Sequence, residues 1–116
     1  MRSTLVILFA CISVLCFAQK DTDEYIADAV RQLDASCAGG DIREYVVKNG
    51  IKGTYTFEIT IKGKGQIASM NILSRGEDGS IPHQNALKDF VMFRYKLDMK
   101  LPKGRYYKFE YTFSFQ

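Results

Sequence analysis

Two stretches of this chain alternate apolar and polar residues without a break. Thr54-Tyr55-Thr56-Phe57-Glu58-Ile59-Thr60-Ile61 puts Tyr55, Phe57, Ile59 and Ile61 on one side and Thr and Glu on the other. Tyr107, Phe109, Tyr111, Phe113 and Phe115 alternate in the same way with Lys108, Glu110, Thr112 and Ser114. A period of two is that of a strand with one face buried and one face wet, as in an antiparallel sheet covered on one side. Whatever else the chain does, it must supply something apolar to lay on those aromatic and aliphatic rows. At 116 residues it has room for one domain and not two. With 47% apolar and 25% charged residues, neither disorder nor coiled coil fits.

The other elements follow from local signals. Gly63-Lys64-Gly65 turns the chain after the first strand, and Gln66 to Ser74 reads as the return strand of a hairpin. The inward side of that return strand is ambiguous, with Ala68, Met70 and Ile72 set against Ile67 and Leu73. Helical spacing from Asp21 to Ser36 places Tyr25, Ile26, Ala29, Val30 and Leu33 on one face, and Gly39-Gly40 ends it. A second short helix, capped by Asp41, carries Ile42, Tyr45 and Val46 on one face and stops at Asn49-Gly50. Pro82 suits the first turn of a third helix, with Leu87, Phe90, Val91 and Arg94 on one face and Ala86, Phe93 and Leu97 beside them. The order is thus α, α, β, β, α, β, an α+β fold. N-terminal helices precede a ββαβ unit whose three-stranded antiparallel sheet packs against a helix. The expected core is Tyr55, Phe57, Ile59, Ile61, Leu87, Phe90, Val91, Phe109, Tyr111 and Phe113, with the 54–61 strand central.

Residues 1–18 read as a cleaved signal peptide. Arg2 precedes an apolar run from Leu5 to Leu15, and the small residues Cys16 and Ala18 offer a cleavage site. The run is shorter than the roughly 20 apolar residues of a membrane span, and Leu15 stands where lipidation of Cys16 would want a small residue. The expected division is therefore 1–18 signal peptide, 19–40 N-terminal helix and 41–116 α+β domain, with no membrane span in the mature chain. Cys11 and Cys16 leave with the signal, so Cys37 alone remains and no internal disulfide is expected.

Chemistry is sparse. His83 is the only histidine and sits near a helix start without partners in sequence. Gly63-Lys64-Gly65 is a turn rather than a phosphate loop, because no helix follows it. The chain is expected to be non-enzymatic, with no cofactor and no metal site. Charge is more informative: residues 19–50 carry 4 basic and 7 acidic side chains, residues 51–116 carry 11 and 6. Arg94, Lys96, Lys100, Lys103, Arg105 and Lys108 crowd a stretch opposed only by Asp98. Such a patch either blunts an edge strand with lysine or steers an acidic partner. Nucleic acid is not an expected partner of an exported chain.

Taken together, Gly53 to Ile61, Gly65-Gln66-Ile67, Ile72-Leu73-Ser74, Asn85-Ala86-Leu87-Lys88-Asp89-Phe90 and Gly104 before the terminal aromatic strand resemble the C-terminal domain of TonB proteins. The resemblance spans residues 41–116. The family's Tyr-Pro loop before the first strand is missing, and its Phe-x-Pro after the helix is replaced by Phe93-Arg94-Tyr95. The resemblance implies a periplasmic or cell-envelope protein that captures an extended segment of a protein partner, such as an outer-membrane receptor, by strand addition. A full TonB protein also carries a membrane helix and a long Pro-rich linker. This chain has two prolines, so energy transduction is not expected of it alone. The expected partner-binding residues are Tyr107, Phe109, Tyr111, Phe113 and Phe115 on the last strand, with Lys100, Lys103 and Arg105 beside it. The alternative is a structural subunit of an outer-membrane or envelope assembly.

Overall fold

The computed structural model describes residues 22–116. The expected signal peptide, its cleavage point and Asp21 lie outside the described residues. The elements are α1 (22–39), α2 (Asp41–Asn49), β1 (Gly53–Lys62), β2 (Gln66–Arg75), α3 (Ile81–Phe93) and β3 (Tyr106–Phe115). The chain is α+β, with three strands in the order β2-β1-β3, antiparallel throughout. β1, none of whose residues is exposed, is the central strand, as expected. Among the described residues no helix is long and apolar enough to cross a membrane.

One face of the sheet is dry. Every residue of the expected core is buried, and Tyr55, Phe57, Ile59, Ile61, Leu87 and Val91 are wholly so. Three helices cover that face. α1 contributes Ala29 and Leu33 to the same cluster as the strands, with Tyr25, Ile26 and Val30 packed against it. Its position over β3 is fixed at two points: Tyr25 meets the Tyr107 ring at 5.4 Å, and the Tyr111 hydroxyl donates to Asp34 Oδ1 at 2.5 Å. α3 lies over β2 and meets α2, where the Tyr45 and Phe90 rings stack 4.2 Å apart. Burial of roughly 150–250 Å² per aromatic ring makes these rows the main stabilising surface of so small a domain.

Tyr55 ties the α3 start to the sheet. Its ring is fully buried, while its hydroxyl donates to the Lys52 carbonyl at 2.6 Å and accepts from Ser80 N–H at 3.1 Å. Ser80 is in turn the N-cap of α3, accepting from His83 N–H, with Pro82 in the first turn. His83 is a structural residue: its Nδ1 accepts from Lys52 N–H at 3.3 Å.

One local expectation is corrected and one open point is settled. Asp41 is the first residue of α2 rather than its cap. Gly40 holds the cap position without a side-chain bond, and the buried Ser36 Oγ accepts from Ile42 N–H at 3.0 Å. A hydroxyl from the preceding helix therefore replaces the local cap. The return strand β2 also has no single inward row. Its register against β1 skips Leu73 and Ala68, where two residues stand against one step of β1. The bulge at Ala68 lets Ile67 and Met70, three apart in sequence, both turn inward and be buried.

Candidate functional site

The longest regular unpaired feature is the outer edge of β3. β1 and β3 pair from Gly53↔Phe115 to Lys62↔Tyr106 without a shift. Nothing pairs with β3 on its other side among the described residues, since the sheet ends there. Both bulges lie on β2, so β1 keeps its alternation from end to end.

That regularity fixes which backbone groups face out. The Thr54 carbonyl accepts from Gly76 N–H at 2.8 Å, on the β2 side. In a strand the N–H and C=O of one residue point to one neighbour, and those of the next residue to the other. Thr54, Thr56, Glu58 and Thr60 therefore turn to β2, while Tyr55, Phe57, Ile59 and Ile61 turn to β3. Their register partners Phe113, Tyr111, Phe109 and Tyr107 return those bonds. Tyr106, Lys108, Glu110, Thr112 and Ser114 are left with N–H and C=O groups aimed away from the sheet. Their side chains lie on the open face and all five are exposed, whereas Thr54, Thr56 and Glu58 beside them on β1 are half-buried and Thr60 is buried.

The structure separates the sequence-derived residues into two sets. The Tyr107, Phe109, Tyr111, Phe113 and Phe115 side chains are buried under the helices. A partner could meet that strand only through its backbone edge and the intervening residues. Lys100, Lys103 and Arg105 are exposed on the segment that leads into β3. That segment is anchored rather than loose. Leu97 and Leu101 are buried, and their N–H groups donate to the carbonyls of Gly65 (3.1 Å) and Gly63 (2.7 Å) in the hairpin turn. Gly65 is required there: its φ is +88°, and a Cβ would lie 2.0 Å from the Leu97 carbonyl oxygen. The sequence sets Phe93 and Leu97 beside the third helix's face, but α3 ends at Phe93, which is exposed, and Leu97 and Leu101 are buried from the irregular segment beyond it.

The open face between the strands is a polar ladder. Thr56 and Thr112 share a hydrogen bond at 2.8 Å, and Thr54 and Ser114 one at 3.3 Å. Lys62 Nζ stands 5.9 Å from the Tyr106 ring. Between them Glu58 and Glu110 stand directly opposite each other.

Two further features bear on chemistry. Cys37 is half-buried beside the Tyr111 hydroxyl, at 3.9 Å, and burial pushes its thiol up to about 11. Burial also raises the Tyr111 phenol, helped by its bond to Asp34. A thiol held neutral in this way is a weak nucleophile. An open groove of about 380 Å³ lies between α2 and α3, where the Arg94 guanidinium sits over the stacked Tyr45 and Phe90 rings. Among the described residues no three His, Cys, Asp or Glu side chains converge as metal ligands. Comparison of the chain with protein-family models, with curated proteins and with solved structures finds no match in any of the three.

Proposed function

We propose that this chain is a non-enzymatic, exported module of the cell envelope that captures an extended protein segment by strand addition at β3. The observation that carries the reading is the outward row of N–H and C=O groups from Tyr106 to Ser114 on an unbulged strand, with exposed side chains along it. An extended segment laid there gains main-chain hydrogen bonds along its whole length, and the intervening side chains supply selectivity. The exposed Lys100, Lys103 and Arg105 beside the strand's start favour approach of an acidic partner at low ionic strength. The resemblance of residues 41–116 to TonB C-terminal domains supports an envelope location and an outer-membrane receptor as the class of partner.

A photo-crosslinking amino acid in place of Thr112, on the outward row, tests the reading in cells. The expected result is covalent capture of an envelope protein through one short segment, lost when Glu110→Pro removes an outward donor. Capture from a probe at Leu73 on the opposite edge, with none from Thr112, would assign docking to the wrong strand.

A further inference from the structure

The outward row of β3 is complementary to itself in one register. Lys108 and Glu110 are its two charged residues, two apart, and both are exposed. When two antiparallel strands pair, a residue and the one two before it face, in reverse order, their counterparts on the other strand. A basic-x-acidic string therefore places its lysine opposite a second copy's glutamate and its glutamate opposite that copy's lysine. Resting on the reading of β3 as the docking edge, we infer that in the absence of a partner segment the edge is occupied by β3 of a second copy. The two strands run antiparallel about a two-fold axis through Phe109, with Lys108 opposite the other chain's Glu110.

Register choice follows from charge and parity. Only the outward residues can form the hydrogen-bonded pairs, so the permitted registers differ by steps of two. A two-fold axis at Glu110 would set glutamate against glutamate, and one at Lys108 lysine against lysine. An axis at Tyr111 would leave each charge facing Thr112 or Ser114. The axis at Phe109 alone yields two opposite-charge pairs, with Tyr106 opposite Thr112 on either side. Like charges directly opposite disfavour pairing and unlike charges favour it. The same register answers a defect within one chain. Glu110 faces Glu58 across the β1–β3 ladder, and among the described residues the only ion pair joins Arg31 and Asp28. Lys108 of the second copy would bring a cation to that carboxylate pair. The product is a continuous six-stranded sheet, with the helices of both copies on one face. A partner strand must then displace a copy of the chain, so capture weakens as protein concentration rises.

Sedimentation equilibrium on the purified protein tests this, with variants confined to exposed side chains. Lys108→Glu and Glu110→Lys should each weaken dimerisation about tenfold or more, because both symmetric pairs become repulsive. The double variant K108E/E110K restores both pairs with signs reversed and should recover the parent dimer. Glu110→Pro should abolish dimerisation while leaving circular dichroism unchanged. A parent that stays monomeric at about 100 μM, or a double variant no better than the single ones, overturns the self-pairing. In that case loss of Thr112 crosslinks to an envelope protein on Glu110→Pro still upholds β3 as the docking edge. A dimer that survives both charge reversals and Glu110→Pro forms through another face, and that also overturns it.

Discussion

The two edges of this sheet come from strands of equal length and behave differently. β2 meets β1 through two bulges, at Leu73 and Ala68, and every residue of its second half is exposed, Ile72 at 40% and Leu73 at 49% accessibility. β3 meets β1 without a break, and its side chains alternate exposed and buried over ten residues. A bulge bends and twists a strand and spoils the even spacing of its outward groups, which is how natural edges avoid unwanted pairing. β2 carries that protection twice and β3 not at all. The difference lies in register: β3 keeps an even row of outward groups and β2 does not. The aromatic row of β3 is buried throughout, and its unshifted register leaves the outward hydrogen-bonding groups evenly spaced.

The comparison breaks most sharply with proline, which removes a donor. At Tyr111 the N–H is committed to β1, so Tyr111→Pro should lose a ladder bond and the Tyr111–Asp34 contact together and unfold the domain. At Glu110 the N–H faces out, so Glu110→Pro should melt within a few degrees of the parent and lose only edge pairing. Thermal melts of the two variants decide the matter, and the reverse ranking would mean the outward row has been assigned to the wrong residues.

Truncation of inward side chains comes next in size. Phe113 is 1% exposed and meets the Phe57, Tyr111 and Phe115 rings. Phe113→Ala should cost about 3–5 kcal/mol. Ile72→Ala on the other edge should cost about 1 kcal/mol, because so much of that side chain is already in water. Urea titration of both measures the difference, and equal losses would show that β2 packs as firmly as β3. On the open face, Thr56→Ala removes one exposed hydroxyl bond to Thr112 and should cost about 0.5–1 kcal/mol. A loss as large as that of Phe113→Ala would put the wet face of β1 on the wrong side.

How legible these features were in the sequence depended on regularity. β1 and β3 could be read residue by residue because an unbroken strand converts alternation directly into inside and outside. β2 could not, because each bulge shifts the period by one, and Ile67 and Met70 then share a face that no period of two allows. The Asp41 cap failed for a related reason: Ser36, six residues before the N–H it accepts from, lies on another helix, beyond any local pattern. Leu97 and Leu101 sit in an irregular segment beyond the end of α3, so the helical period that sets Leu97 beside that helix's face does not place them. For the candidate site, the string Lys108-x-Glu110 was visible, but which backbone groups face out was not. That choice depends on the side to which the Thr54 carbonyl turns, a fact of sheet pairing rather than of composition.

The smallest expected effect again separates the two edges, this time by titration. The inward surface of β3 carries a polar cluster, Tyr111 with Asp34 and Cys37, whereas β2 sends only Ile67 and Met70 into the core. Burial holds the Cys37 thiol at about 11 against an ordinary 9, and it raises Tyr111 as well. An acid whose pKa is raised by folding keeps its proton in the native state after the unfolded chain has lost it. Its contribution is therefore complete below pH 9 and declines as pH rises through the window from 9 to 11. The parent melting temperature should thus fall on going from pH 8 to pH 10.5. Cys37→Ala and Tyr111→Phe should each flatten that fall, while Met70→Leu on the β2 side should leave its slope unchanged. Amide exchange should place the alkaline loosening at β3 and α1, ahead of β2. A slope identical in all four proteins would mean that the β3 seam is no more sensitive to base than the rest of the molecule.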